Sequence, residues 1–172
     1  PAKNLQLICY PNCMHAYQVW IALFFQLNEK QQNYHLDFTF KQNIDIPLLT
    51  TNTPDHYFFS SHFSWIYAHF HHKNKTELKF RAYEKNNSYE FTIQALSEVK
   101  ALLCSGLHHS IHGLDVISNW LNEEYLAAHL QEVFGQEALT VNHLRELSGL
   151  SKSKSPVSSV SNYAGPLSLE KI

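Results

Sequence analysis

The sequence predicts an α/β or α+β fold with a small mixed sheet, opened by a strand-helix-strand unit and followed by a helical C-terminal half. Three observations lead there. Leu5 to Tyr10 is a short apolar run closed by Pro11-Asn12, which is the signature of a strand and its turn. Ala16, Val19, Trp20, Leu23, Phe24 and Leu27 recur at three- and four-residue steps, so His15 to Glu29 reads as a helix with one apolar face. Beyond Ser97 the spacing is helical almost throughout.

Within the first half, Tyr34, Leu36, Phe38 and Phe40 alternate, which predicts a half-buried strand over Tyr34 to Phe40. Strand, helix and strand in succession favour a right-handed crossover and a parallel pair. Lys41 to Asp55 holds Pro47 and Pro54 and reads as mostly irregular, with a short strand at His56 to Phe59. Ser60 or Ser61 is placed to cap a helix reaching about His72, where Phe63, Ile66, Tyr67 and Phe70 keep the helical step; an alternating pattern also fits there. Glu77 to Tyr83 and Tyr89 to Ile93 read as a hairpin turned by Lys85-Asn86-Asn87-Ser88.

In the second half, Ser97 is the expected cap of a helix with Val99, Leu102, Leu103, Leu107 and Ile111 as its stripe, interrupted at Gly113. Further helices are predicted at Leu114 to Leu121, from about Asn122 to Gly135, and at Thr140 to Ser148 before Gly149. Residues 1–150 therefore form one domain. Residues 151–172 are Ser-rich and poor in large apolar side chains, and read as a flexible polar tail or linker that adds little to the core. Val157, Val160, Tyr163 and Leu167 would be its anchors if it docked.

Composition sets bounds. The 172 residues are 44% hydrophobic and 16% charged, enough for a proper core. A formal charge of -2 weighs against a general nucleic-acid binder, which usually carries a basic surface, while leaving room for a local basic patch. The longest apolar run, Val19 to Phe25, is too short to span a bilayer, so no membrane association is expected. Three cysteines, an odd and low count, do not make a disulfide framework. With no signal-peptide pattern at Pro-Ala-Lys-Asn, the expected location is cytoplasmic. Pro1 fits either a removed initiator Met or a trimmed start.

Four constellations could carry chemistry. The first is Cys9-Tyr-Pro-Asn-Cys13-Met-His15. A thiol at the start of a helix that follows a strand gains from the helix N-terminus, which stabilises the thiolate. Residues 5 to 72 resemble the N-terminal half of a thioredoxin-like or glutathione-transferase domain. That resemblance makes Cys13 a catalytic candidate, Ile46-Pro47-Leu48-Leu49 the cis-proline segment, and Ser60-Ser61 the residues that hold a glutathione backbone. The plainer reading keeps Cys9 in a buried strand and Cys13 as an ordinary loop thiol.

The second is Cys104, His108 and His112, four residues apart. On a helix they would share a stripe able to hold a soft divalent ion such as zinc, or they would face solvent or a partner. The third is Pro54-Asp55 followed by Glu77-Leu78-Lys79, which resembles the Pro-Asp…Glu-x-Lys signature of a metal-dependent nuclease superfamily. The resemblance implies magnesium held by Asp55 and Glu77, with Lys79 positioning the attacking water. The alternative is a turn aspartate and a solvated strand face. The fourth is Leu144, Leu147, Gly149 and Leu150, which resemble the first half of a helix-turn-helix, with Lys152, Lys154 and Pro156 beyond.

These signals do not converge. The sequence therefore favours a binding or regulatory protein that recruits a protein partner through an aromatic and His-rich surface. The alternative is an enzyme, either thiol- or glutathione-dependent or a metal-dependent nuclease. Twelve histidines make the charge sensitive to mild acid. Three Trp, nine Tyr and eleven Phe are enough to fill a core, to line an interface, or both.

Overall fold

The computed structural model describes residues 6–40, 44–71, 79–83 and 87–150. The chain opens with β1 (Gln6–Cys9), whose Leu7 and Cys9 turn inward while Ile8 faces out. A 3-10 turn at Pro11–Cys13 leads into α1 (Met14–Phe24), and α2 (Glu29–Phe40) follows after a tight corner. Then come β2 (Asp45–Thr50), β3 (His56–Phe59), α3 (Phe63–His71) and β4 (Lys79–Tyr83). Among the described residues four helices complete the order: α4 (Ser88–Leu103), α5 (Leu114–Leu121), α6 (Glu124–Phe134) and α7 (Val141–Leu147). The result is a four-stranded mixed sheet joined to a helical C-terminal half, as the sequence predicts.

The strands lie in the order β1-β3-β2-β4. β1 runs parallel to β3, with Gln6 opposite His56 and Cys9 opposite Phe59. β2 is antiparallel to β3 and parallel to β4. One hydrophobic core runs from Leu7, Ile46, Leu48 and Phe59 of the sheet through α1 and α4 to Leu144 of α7. α1 packs on α4 and α5, and α6 closes over α4.

Four local expectations are corrected. Tyr34 to Phe40 is the second half of α2, not a strand. The Asn28 and Gln31 side chains cap it reciprocally: each accepts the other's backbone N–H, at 3.0 and 2.9 Å. Gln32 also donates to the Phe24 and Leu27 carbonyls, closing the end of α1. Of the alternating set, Leu36 is buried and Tyr34 is 66% exposed, so the alternation does not mark a sheet face. The parallel partner of β1 is accordingly β3.

Lys41 to Asp55 is not irregular throughout, since it contains β2. Ile46, Leu48 and Leu49 supply the buried side chains. Pro47 is tolerated because β3 pairs only with Leu49 and Thr50 of β2, so Pro47 faces a partner strand on one side alone.

The expected hairpin strand Tyr89 to Ile93 is the first turn of α4. Asn87 accepts the Glu90 N–H at 3.3 Å and starts the helix ten residues before Ser97. Thr92, Ala95, Leu96, Val99, Leu102 and Leu103 are its buried face. Ser97 lies mid-helix and donates to the Ile93 carbonyl.

Finally, α4 stops at Leu103 instead of continuing through Leu107 and Ile111. Cys104 ends it, and Gly106 at φ +70°, a conformation that glycine adopts without strain, turns the chain away.

Candidate functional site

Because β1 and β3 are parallel, their carboxyl ends lie side by side; the Tyr10 N–H donates to the Phe59 carbonyl at 2.7 Å. α1 and α3 both begin at this edge, which is where open α/β sheets place their ligands. Cys13 stands at the N-cap of α1, the position the thiol reading requires. Its surroundings act the other way. Cys13 is fully buried, and desolvation pushes its thiol up to about 12 against a lowering bond from Thr92. Burial, with Cys13 alongside, pushes Cys9 up as well. Removal of water outweighs the helix N-terminus, so both sulfurs are held as thiols.

The N-terminus of α3 is satisfied from within the protein. The Glu98 carboxylate accepts the Phe63 N–H at 2.7 Å and the His62 N–H beside it. Ser60 and Ser61 are buried, and the Ser61 hydroxyl is bonded to His62 Nδ1 at 2.8 Å. Pro47 lies inside β2, and among the described residues every peptide bond is trans, so the expected cis-proline segment is not present.

One outcome follows directly. At pH 7.5 a soluble alkylating reagent is expected to modify exposed Cys104 quickly, and Cys9 and Cys13 only after denaturant is added. Intact-mass and peptide-mass measurements read this. Alkylation of native Cys13 as fast as Cys104 would restore the thiol reading.

The nuclease set is not assembled. Asp55 sits in the turn before β3, where its carbonyl accepts the Gln6 N–H. Lys79 begins β4 opposite Asp45 of β2, whereas Tyr57, two residues after Asp55, lies opposite Thr50. Tyr57, at the Asp55 end of β3, and Lys79 are thus five residues apart along the strand direction, roughly 16 Å at the rise of a strand. Glu77 lies outside the described residues.

Nor do Cys104, His108 and His112 share a helix. Cys104 is exposed at the end of α4, while His108 and His112 lie in the following loop. His108 turns into the core, 6% exposed, and contacts the Leu23 carbonyl through Nε2 at 2.9 Å. Among the described residues no three His, Cys, Asp or Glu side chains converge as a metal set.

α7 is capped by Thr140, whose hydroxyl accepts the His143 N–H, and it buries Leu144. Lys152, Lys154 and Pro156, the rest of the helix-turn-helix pattern, lie outside the described residues, as do Val157, Val160, Tyr163 and Leu167 of the tail. No described helix is long and apolar enough to cross a membrane.

The aromatic surplus divides in two. Trp20, Phe24, Phe59, Phe63 and Trp65 are core, while Tyr34, Phe25, Tyr83, Tyr89 and Tyr125 are exposed. One of the exposed rings, Tyr89, adjoins a groove. Tyr89 on α4 meets His129 of α6 with ring centroids 5.0 Å apart and donates its hydroxyl to Glu132. Tyr125 lies one turn before His129, and its carbonyl is bonded to His129 Nδ1. Next to Tyr89 a groove of about 440 Å³ between α4 and α6 is lined by Ile93, Ser97, Ala101, Cys104, Glu132 and Val133. Lys100 lies within it, giving its ammonium to the Val133 carbonyl at 2.7 Å and facing the Phe134 ring.

Sequence reasoning missed this face because it read Tyr89 as a strand residue. The available signal was Asn87-x-x-Glu90, which starts α4 early enough to put Tyr89, Ile93, Ser97 and Lys100 on one stripe. Comparisons with protein-family models, with curated proteins and with solved structures give no match to this chain.

Proposed function

We propose that this domain is a binding module that recruits a protein partner through the α4–α6 face. The observation that carries the proposal is exposed Tyr89, at 52%, set against His129 and Glu132 beside a groove whose lining includes Ile93, Ala101 and Val133, with a second exposed tyrosine, Tyr125 at 67%, one turn before His129 on α6. Tyrosine supplies contact area at low entropic cost and keeps a polar tip for a hydrogen bond, which is why it is enriched at interfaces. Helices α4 and α6 carry exposed Glu90, Glu124 and Glu132, the last of them lining the groove, and Lys100 there is already engaged by a backbone carbonyl. That balance suits a partner with cationic side chains. It disfavours a second copy of this chain, which would bring acid against acid. The enzymatic alternatives gain no comparable support, because the early thiols are buried and Asp55 stands far from Lys79.

The test compares wild type with the Tyr89→Ala/Tyr125→Ala double variant as immobilised baits in quantitative affinity purification. At least one protein is expected to be retained by wild type and depleted about tenfold or more by the variant, since truncating two aromatic anchors costs on the order of 1–2 kcal/mol each. Both side chains are exposed, so the melting temperature should move little. An identical set of retained proteins on both baits would refute the proposal.

A further inference from the structure

The loop between α4 and α5, residues 104–113, is strapped to the corner where α1 meets α2. Gln26 both gives and takes: its Nε2 donates to the His112 carbonyl at 3.2 Å, and its Oε1 accepts the His112 N–H at 2.6 Å. Gln31 donates to the Leu107 carbonyl. His108 reaches deepest, with Nε2 against the Leu23 carbonyl of α1, and its buried Nδ1 has no hydrogen-bond partner among the described residues. Ile111 of the same loop is 1% exposed, so the strap also seals apolar surface.

We propose that His108 is a proton-operated latch, whose protonation in mild acid releases the 104–113 loop from the end of α1. The neutral ring fits as it stands: the Nε2 proton is given to the Leu23 carbonyl, and Nδ1 carries only a lone pair. A second proton must go on Nδ1. That creates a charged donor in a buried place where no described group accepts it. The Leu23 carbonyl, at the negative end of α1, favours the cation, but desolvation outweighs it and holds the ring's proton affinity below its ordinary value.

The ring can regain its proton only by leaving the pocket. Glycines at both ends of the strap, Gly106 and Gly113, already sit at positive φ and can absorb the backbone rotation. The Gln26 bonds are neutral and exposed, so water can replace them at little cost.

The charged and titratable groups on the elements that meet there are Cys104, His109 and His112 on the loop, Glu29, Lys30, Tyr34, His35 and Asp37 on α2, and Asp115 on α5; α1 carries Tyr17 and, at its far end, His15. None of them is bonded to His108 Nδ1. The sign is fixed by linkage. A base whose proton affinity is lowered by closure stabilises the closed form above about pH 6.5, and that contribution is lost as pH falls.

Hydrogen exchange of the full chain, corrected for intrinsic rates, tests this between pH 7.5 and 5. Protection of residues 104–113 is expected to fall by up to roughly tenfold per pH unit below about pH 6.5, the ordinary value the ring regains when open, and to level off only below its lowered closed-state value, the slope of one coupled proton. The interior of α4 should stay protected. His108→Gln keeps an amide donor for Leu23 and cannot be protonated, so its loop should lose the pH dependence. If that variant fails to fold, an NMR titration of wild type serves: the His108 ring and the loop amides should titrate together, below 6.5. Flat protection across the range overturns the proposal. So does an unchanged slope in His108→Gln, which would move the effect to His109 or His112.

Discussion

Trp20→Ala is expected to lower the unfolding free energy by about 3–5 kcal/mol, a large part of what holds a domain of this size together. Trp20 is 2% exposed and sits where three helices meet. It stacks on Phe24 at 5.1 Å and 9° within α1, and meets Phe63 and Tyr67 of α3 at 6.1 and 6.3 Å and His35 of α2 at 6.1 Å. Truncation removes the largest side chain of this cluster and leaves a cavity that the rigid rings around it cannot close. Urea unfolding followed by far-ultraviolet circular dichroism measures the change without relying on the lost fluorophore. The midpoint should fall with little change in slope. Trp20→Phe should retain much of the stability, and Tyr34→Ala, at an exposed position on α2, should stay within about 0.5 kcal/mol of wild type. A loss below about 1 kcal/mol for Trp20→Ala would mean that the aromatic cluster is not the keystone of the core.

The cluster shows what the sequence made legible. Ala16, Val19, Trp20, Leu23, Phe24 and Leu27 share a helical face by spacing alone, and all six are buried. β1, β3 and the helices from α5 to α7 were equally readable, because apolar runs, caps and glycine stops agree with one another there. Legibility failed where two patterns competed. Tyr34, Leu36, Phe38 and Phe40 alternate like a strand, but the reciprocal cap of Asn28 and Gln31 had already committed the chain to a helix. Asn87 settled the start of α4 in the same way. In both places a local hydrogen bond overrode side-chain alternation. The candidate sites were less legible than the fold because they depended on long-range burial. The spacing of Cys104, His108 and His112 was correct for a helix that ends one residue before Cys104. No local signal showed that Glu98 would bond to residues 35 and 36 positions away, or that His108 would contact Leu23, 85 positions away.

Glu98 leads to the last expected result, a stability profile in which this carboxylate opposes the histidines. Part of its side chain reaches solvent, but the carboxylate is enclosed beneath the start of α3. Desolvation pushes its pKa from 4.5 up to about 7, against the lowering effect of the Phe63 and His62 N–H groups. Between those two values the folded chain keeps a proton that the unfolded chain has lost. Its contribution is therefore complete below about pH 4.5 and is lost as pH rises through 7, on the order of 3 kcal/mol in all. His35, His62 and His108 act in the other sense: burial lowers each, so they favour the folded state above about 6.5 and cost stability as pH falls. The wild-type profile mixes the two, and Glu98→Gln separates them. At pH 5 both chains are neutral at this position, and the variant should melt lower, because its amide presents a donor to one of the two N–H groups that need an acceptor. As pH rises to 8 only wild type acquires a buried charge. The variant should therefore gain on wild type by about 5–10 °C across that range. Glu98→Ala, which loses the cap outright, should be destabilised by about 1–2 kcal/mol even at pH 8. If the difference between Glu98→Gln and wild type moves the opposite way with pH, the two backbone N–H groups outweigh desolvation, and Glu98 is an ionised cap whose charge strengthens the fold.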